Sequence, residues 1–187
     1  REGASLLAAN HVSWYDIPLL VGHSPRMVDF LAINELYQRP ITRWFFEGMN
    51  GIRYDRSGAD SRAVRGMLGR LARGRMVAIF PEGRLCRYEE SVFTGLPLRP
   101  GLARLAMTAQ APVLPVVLWG TDAYRRFLSW MPVCRTRYGI AFGRPIPPPA
   151  AVALSSRAEA ARRFEEEYRT RMCELRRELL AAMRVDA

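Results

Sequence analysis

The sequence predicts an α/β fold: a single domain with a mixed, mostly parallel β-sheet flanked by helices and an active site at the carboxyl ends of the strands. Two observations predict it. Short apolar runs, of the length of buried strands, alternate with amphipathic helical segments along the chain. Run 6–9 leads into Asn10-His11 and run 76–80 leads into Pro81-Glu82, and ligands usually bind at the carboxyl ends of parallel strands.

Length and composition fit one globular domain. The chain has 187 residues, of which 49% are hydrophobic and 25% are charged, and it shows no internal repeat. This composition is ordinary for a domain with its own core, so we predict one domain over 1–187. Because the chain begins with Arg1, only a few residues before the first strand, we expect an upstream segment in the full protein.

The positive charge limits the classes of partner. All 28 basic residues are arginines and the formal net charge is +10, which favours nucleic acid, an anionic membrane surface or a phosphorylated substrate. The arginines are spread over nearly every segment and no nucleic-acid-binding signature is present, so we predict no nucleic-acid partner. The cysteine spacing predicts neither a zinc site nor disulfides. No apolar run reaches the roughly 18–20 residues of a membrane-spanning helix.

The first part of the chain has clear element boundaries. Strands are predicted at 6–9 and 27–33, with a short helix at 17–21 between them. A longer helix follows, capped by Asn34 and kinked or split by Pro40, because proline disturbs a helix interior. Its apolar residues are expected mainly in the core, although its aromatic side chains are large enough to contact a lipid chain.

The rest of the chain continues this alternation. The run 76–80 is almost wholly apolar, which predicts a central strand covered on both faces. Pro115 is expected to break a buried strand, and the last strand is expected at an edge because its arginines need water. Ser156 begins a capping-box pattern at the start of a long helix. The predicted elements are strands at 52–54, 76–80, 112–119 and 135–142 and helices at 60–73, 101–109 and 155–184.

The stretch from Asn10 to Asp16 carries the first candidate for chemistry. Imidazole can accept a proton near neutral pH, and a nearby carboxylate can orient it and stabilise the imidazolium. His11 and Asp16 would lie about 140° apart around a continuous helix, so they can meet only in a turn that leads into a helix. The alternative is that Asp16 merely caps that helix and His11 is an ordinary turn residue.

The residues after the central strand are a second candidate. Pro81 removes a backbone donor and Gly83 frees the backbone, which favours an irregular turn at this strand end. The turn would present Glu82 and Arg84 at the same sheet edge as His11. These charged side chains are therefore predicted to join one site.

Arg56 is a third candidate, because it follows the predicted strand 52–54. A guanidinium at a strand end suits bidentate binding of phosphate. A surface ion pair with Asp55 or Asp60 is the open alternative, since exposed pairs of this kind are common.

Four blocks occur in a fixed order along the chain. They are Asn10-His11-Val12-Ser13-Trp14-Tyr15-Asp16, Gly51-Ile52 leading to Asp55-Arg56, Phe80-Pro81-Glu82-Gly83, and Ala111-Pro112-Val113-Leu114-Pro115-Val116. The combination resembles the glycerolipid acyltransferase family, which includes the lysophosphatidic acid acyltransferases. The likeness extends from about 6 to 144.

The resemblance implies a set of site residues with one ambiguity. Members of the family often have Glu-Gly-Thr-Arg-Ser in the third block, whereas this chain has Glu82-Gly83-Arg84-Leu85-Cys86-Arg87. Either Arg84 or Arg87 could therefore contact the phosphate of the acceptor. The implied residues are catalytic His11 and Asp16 and phosphate-binding Arg56, Glu82, Gly83, Arg84 and Arg87.

The implied reaction moves an acyl group from acyl-CoA or acyl carrier protein to a hydroxyl of a lysophospholipid. With 1-acylglycerol-3-phosphate as acceptor, the product would be phosphatidic acid, in phospholipid biosynthesis. His11 would take the hydroxyl proton, and neither a cofactor nor a metal is expected. We expect the protein at the cytoplasmic side of an anionic membrane. The alternatives are acyl transfer to another lysolipid and a non-catalytic basic module that binds lipid or nucleic acid.

Overall fold

Six strands form one β-sheet in the computed structural model, which describes residues 3–55, 57, 60–125, 136–150 and 156–185. The strand order is β3-β2-β4-β1-β5-β6, and every neighbouring pair is parallel except β5 and β6. The prediction of a mixed, mostly parallel sheet is confirmed. The strands are β1 (Ser5–Ala9), β2 (Val28–Ile33), β3 (Gly51–Tyr54), β4 (Met76–Ile79), β5 (Val113–Trp119) and β6 (Gly139–Phe142).

Helices cover both faces of the sheet. Neighbouring side chains of a strand point to opposite faces, and in β1 Leu6 packs into one core cluster while Leu7 packs into the other. Helices α3, α4 and α5 cover the Leu6 face, and α1 and α2 cover the Leu7 face. The helices are α1 (Asp16–His23), α2 (Pro40–Gly48), α3 (Ser61–Ala72), α4 (Leu102–Ala109) and α5 (Arg157–Met183).

The register of the two central strands positions the site. Strand β4 lies beside β1 and parallel to it, with Ala8 opposite Ile79. The residues that follow β1 therefore leave the sheet beside those that follow β4. This arrangement brings the neighbourhoods of His11 and Glu82 together, although they are far apart in the sequence.

The segment around α2 differs from its prediction in two respects. Pro40 does split the helix, because a separate 3₁₀ helix at Asn34–Tyr37 precedes α2. The predicted cap at Asn34 is wrong, since the cap position is Ile33 and no side chain bonds there. The expected core position of the apolar face is also wrong in part. Ile41 is 82% exposed and Trp44 is 77% exposed, while Phe46 is buried.

Strand β5 is continuous through Pro115, contrary to the predicted break. The carbonyl of Pro115 accepts a hydrogen bond from the amide of Gly143, and the N and C=O of one strand residue point the same way. The nitrogen of Pro115, which has no hydrogen to donate, therefore faces the position just beyond the end of β6. The hydrogen bonds between β5 and β1 are not affected.

The start of the last helix was predicted for the right position but with the wrong cap. Ser156 precedes α5 in an α-helical backbone conformation and makes no side-chain cap bond, whereas a capping side chain normally needs extended backbone. Helix α5 carries one apolar stripe. Its members, Phe164, Tyr168, Met172, Leu175 and Leu179, are all buried.

The connection 86–100 between β4 and α4 contains two short 3₁₀ helices, at Tyr88–Glu90 and Val92–Thr94. Ser91 separates them, and its hydroxyl accepts the amide of Phe93 while its own amide donates to the hydroxyl of Thr94. Local polar contacts therefore shape this loop, and such contacts leave no periodic pattern in the sequence.

Candidate active site

Asn10 ends β1 and directs the chain out of the sheet. Its side-chain amide donates to the carbonyl of Leu118 and accepts from the amide of Leu118, both at 2.9 Å. Asn10 is fully buried, so these two bonds replace a backbone ladder between the end of β1 and β5. The sequence analysis assigned Asn10 no role of its own, since one buried asparagine gives no local signal.

The carboxylate of Asp16 closes the turn that follows. Its Oδ2 accepts the amides of Val12 at 2.6 Å and of Ser13 at 2.8 Å, and it lies 2.9 Å from Nδ1 of His11. Its Oδ1 accepts the hydroxyl of Ser13 at 3.2 Å. The carboxylate thus bonds backwards into the turn and caps nothing, because the cap position of α1 is Tyr15. The predicted meeting of His11 and Asp16 is confirmed.

The imidazole of His11 is held in one orientation. A carboxylate only accepts hydrogen bonds, so the bond to Asp16 assigns the proton to Nδ1 and leaves the lone pair on Nε2. The ring of Phe80 stacks on the imidazole, with centroids 4.0 Å apart and planes 19° apart. The His11 side chain is 17% exposed, so the free Nε2 can reach a molecule in the adjoining cavity.

The side chain of Glu82 connects the backbone of the His11 turn to the backbone of the loop after β4. Its Oε2 accepts the amide of His11 at 2.7 Å, and its Oε1 accepts the amide of Val92 at 2.8 Å. Burial raises the pKa of this carboxyl, and the two amide bonds oppose that rise. Glu82 is 4% exposed and both of its oxygens have partners. Its geometry therefore favours positioning of His11, and its contact with phosphate stays a prediction.

Cys86 adds a third hydrogen-bonding contact to the turn that contains His11. Its amide donates to the carbonyl of His11 at 2.7 Å. The side chain is buried, and burial raises the pKa of its thiol to about 11. The thiol is therefore protonated near neutral pH and suits a structural role rather than that of a nucleophile.

Gly83 is a position where the chain requires glycine. Its φ is +66°, a conformation that side chains rarely adopt, and an added Cβ would collide with the side chain of Arg99. Arg99 itself donates its amide to the carbonyl of Pro81 at 2.7 Å. Arg99 thus lies across the turn next to the site. Sequence reasoning missed it, because it lies far along the next loop and belongs to none of the four blocks.

The predicted phosphate-binding arginines differ in position. Arg84 is exposed and lines the cavity beside His11. Arg87 is also exposed, one residue before a 3₁₀ helix, and does not line the cavity. Arg56 lies outside the described residues. Of the two arginines that the structure describes, Arg84 therefore lies beside His11.

An apolar cavity of about 650 Å³ adjoins His11, within the size range of roughly 300–1,000 Å³ that is usual for ligand sites. Apolar side chains dominate its wall, so it suits a hydrocarbon chain whose polar end lies near His11 and Arg84. The lining residues are His11, Trp14, Tyr15, Ile17, Pro18, Phe30, Leu31, Ala32, Ile33, Leu36, Phe45, Phe46, Met49, Tyr54, Gly83, Arg84 and Leu85.

Curated proteins and solved structures are similar to this chain. A lyso-ornithine lipid O-acyltransferase of Pseudomonas aeruginosa is 37% identical over 125 residues, which are 65% of this chain and 43% of that protein. A 1-acyl-sn-glycerol-3-phosphate acyltransferase of Streptococcus pneumoniae is 25% identical over 143 residues, 75% of this chain and 49% of that protein. The chain thus spans less than half of either relative.

The fold is similar to that of the 1-acyl-sn-glycerophosphate (LPA) acyltransferase PlsC from Thermotoga maritima. The TM-score is 0.62 at 25% sequence identity, over 91% of this chain and 68% of that structure. The family model described as Acyltransferase matches residues 1–119. This range contains the His11 turn, the loop after β4 and every residue that lines the cavity. Because the match covers more than half of the sequence, the chain belongs to the acyltransferase family.

Proposed function

We propose that this protein is an O-acyltransferase that moves a fatty acyl group from a thioester to the hydroxyl of a lysolipid, with 1-acylglycerol-3-phosphate as the acceptor. The observation that carries the proposal is the position of the His11–Asp16 pair at an apolar cavity with Arg84 on its wall. The base suits the hydroxyl of a lysolipid, the apolar cavity suits its single hydrocarbon chain, and the cation suits its anionic head group.

The chemistry follows from the orientation of His11. Its Nε2 removes the proton of the lysolipid hydroxyl as the oxygen attacks the thioester carbonyl, and Asp16 stabilises the imidazolium. The tetrahedral intermediate then expels the thiolate, which takes the proton from His11. The new ester bond replaces the thioester bond, and His11 returns to its starting state. The amide of Gly83 donates to the carbonyl of Phe80 and is therefore not free to bind the oxyanion.

Glu82→Gln tests the positioning role of Glu82. Glutamine keeps one acceptor oxygen but turns an NH₂ group toward a backbone amide, which leaves a buried donor unpaired at a cost of about 1–3 kcal/mol. We expect Tm and kcat to fall while KM for the lysolipid changes little. Glu90→Gln, on an exposed residue of the same loop, is the matched control. A raised KM at unchanged Tm would instead support direct contact between Glu82 and the acceptor.

Substitutions of the predicted phosphate-binding arginines test whether the acceptor has an anionic head group. Arg84→Ala should raise KM for 1-acylglycerol-3-phosphate about ten- to 150-fold, since a hydrogen bond to a charged group contributes about 1.5–3 kcal/mol. KM for the thioester should stay the same, because that contact belongs to the acceptor. Arg56→Ala is expected to raise this KM as much as Arg84→Ala does, and Arg87→Ala is expected to raise it less. Steady-state kinetics with each substrate varied in turn measures these effects.

The control for these variants is Arg104→Ala, on the exposed side of α4 at the opposite face of the sheet. It should leave both KM values unchanged. A larger effect for Arg87 than for Arg84 would show that the third block is shifted by its missing threonine. No effect from substitution of Arg56, Arg84 or Arg87 would mean that the acceptor carries no anionic group at this site.

A lyso-ornithine lipid is the second candidate acceptor. The relative that acts on such a lipid is 37% identical to this chain, against 25% for the relative that acts on 1-acylglycerol-3-phosphate. The third block also lacks the threonine of the usual pattern. Incubating the protein with both lysolipids, and with acyl-CoA and acyl carrier protein donors, and identifying products by mass spectrometry, distinguishes the candidates.

The remaining parts of the proposal concern donor and location. We propose acyl-CoA or acyl carrier protein as donor, no cofactor or metal, and action at the cytoplasmic side of an anionic membrane. The net charge of +10 supports the membrane partner. Among the described residues, no helix combines the length and apolarity needed to cross a bilayer.

A further inference from the structure

Helix α2 exposes apolar side chains in an unusual concentration. Ile41 is 82% exposed, Trp44 is 77% exposed and Phe45 is 37% exposed. At about 100° per residue, these three lie within roughly 100° of one another around the helix. Phe46, by contrast, is buried against the sheet. The helix therefore carries a second apolar stripe, Ile41-Trp44-Phe45, which is separate from the face that packs on the core.

We propose that this stripe inserts into the surface of an anionic lipid bilayer and brings the mouth of the cavity to the membrane. The inference rests on the proposed function, because it supplies the route by which a lysolipid reaches His11. Tryptophan is favoured at the level of lipid head groups, and helices with one apolar and one charged side lie in that plane.

The stripe is continuous with the cavity mouth. Phe45 belongs to the stripe and also lines the cavity. Trp14, which is not part of the stripe, lines the cavity too and is 38% exposed. Side chains that both line a cavity and reach the surface mark its opening. A lysolipid chain that entered from water would first have to leave the bilayer, at about 0.8 kcal/mol for each CH₂ group. An opening placed in the membrane surface avoids that step.

The charges around the stripe fit an anionic bilayer better than a neutral protein surface. Arg39 and Arg43 lie on or next to α2, Arg53 follows on β3, and all three are exposed. Glu47 pairs with both Arg43 and Arg53, and Glu35 is the other acidic group of this segment. Arginines thus outnumber acids here, and Arg84 adds a further cation at the mouth. Each cation near an anionic surface adds about 1 kcal/mol to the attraction.

The test compares vesicle binding by two double variants of the purified chain. Ile41→Ser with Trp44→Ser removes most of the stripe, and neither residue lines the cavity. Val64→Ser with Phe142→Ser is the matched control, because these residues are 44% and 39% exposed but lie on α3 and on the edge strand. Partitioning is measured by flotation with phosphatidylcholine vesicles that contain phosphatidylglycerol, without any acyl donor.

We expect the stripe variant to partition at least tenfold less than the unchanged chain, since burying one large apolar side chain is worth that much or more. The control variant should bind normally. Both variants should keep normal turnover on a short-chain, water-soluble lysolipid in vesicle-free buffer. Brominated lipid should also quench tryptophan fluorescence of the unchanged chain more than that of the stripe variant.

Equal vesicle binding by the stripe variant, or an equal loss in the control, would overturn the inference and leave the proposed acyltransfer untouched. Concentration-dependent self-association that disappears with the stripe, while vesicle binding persists, would identify a second copy as the occupant and would also overturn it. A chain that acylates no lysolipid but loses vesicle binding with the stripe would refute the proposed reaction and support the membrane surface.

Discussion

His11→Ala is expected to lower kcat by about a hundred- to ten-thousand-fold, the usual cost of losing a general base. The fold should survive, because the backbone amide and carbonyl of His11 keep their bonds to Glu82 and Cys86. The side chain lies in a turn at the edge of the cavity. Its loss removes the stack on Phe80 and the bond to Asp16, whose carboxylate keeps the amides of the turn as partners. Steady-state acyl transfer and thermal unfolding of the purified variant measure both expectations.

The chain offers a matched control in its second histidine. His23 ends α1, is exposed, and lies within hydrogen-bond distance of the carbonyl of Leu19. It does not line the cavity, so His23→Ala should leave kcat unchanged. If folded His11→Ala kept near-normal turnover, the proton would be removed by another group or by none, and the proposed mechanism would fail.

Asp16→Asn is expected to lower kcat over the same range while costing little stability. The amide oxygen can take the place of Oδ2, where it accepts from His11 and from the amides of Val12 and Ser13. The NH₂ group then faces the hydroxyl oxygen of Ser13, which can accept. The turn keeps its backbone bonds, while the Ser13 hydroxyl loses its acceptor on Oδ1. The negative charge that stabilises imidazolium is also lost.

Asp16→Ala separates that charge from the hydrogen bonds. Alanine would leave the buried amides of Val12 and Ser13 without their acceptor, at about 1–3 kcal/mol each. We therefore expect a large fall in Tm for Asp16→Ala and a small one for Asp16→Asn, with both variants catalytically poor. Unchanged kinetics in Asp16→Asn would show that Asp16 only shapes the turn.

Local patterns in the sequence were sufficient for most of the secondary structure. Apolar runs predicted the strands, and the near-continuous run 76–80 correctly predicted a central strand because only strands covered on both faces are apolar throughout. The break at Pro40 followed from proline stereochemistry. The spacing of His11 and Asp16 allowed a contact in a turn but not along a helix, so it left that contact and a simple helix cap as alternatives.

Contacts between distant segments could not be predicted from these patterns. The bond from the His11 amide to Glu82 depends on the register of β1 against β4, and the position of Arg99 over Gly83 depends on the path of a long loop. Neither leaves a periodic signal, because each involves a single side chain. The sequence motif grouped Glu82 with the phosphate ligands, and only its burial and two backbone partners indicate that it positions the base.

Helix α2 shows most clearly what the sequence determined and what the tertiary structure decided. Its residue types alone established that the segment is helical after Pro40 and rich in apolar side chains. Periodicity cannot say which of two apolar faces packs on a sheet, because hydrophobic side chains favour any surface that excludes water, whether core or bilayer. The packing of Phe46 onto β2 determined which face of α2 lies on the sheet. Ile41 and Trp44 therefore face outward beside the cavity mouth.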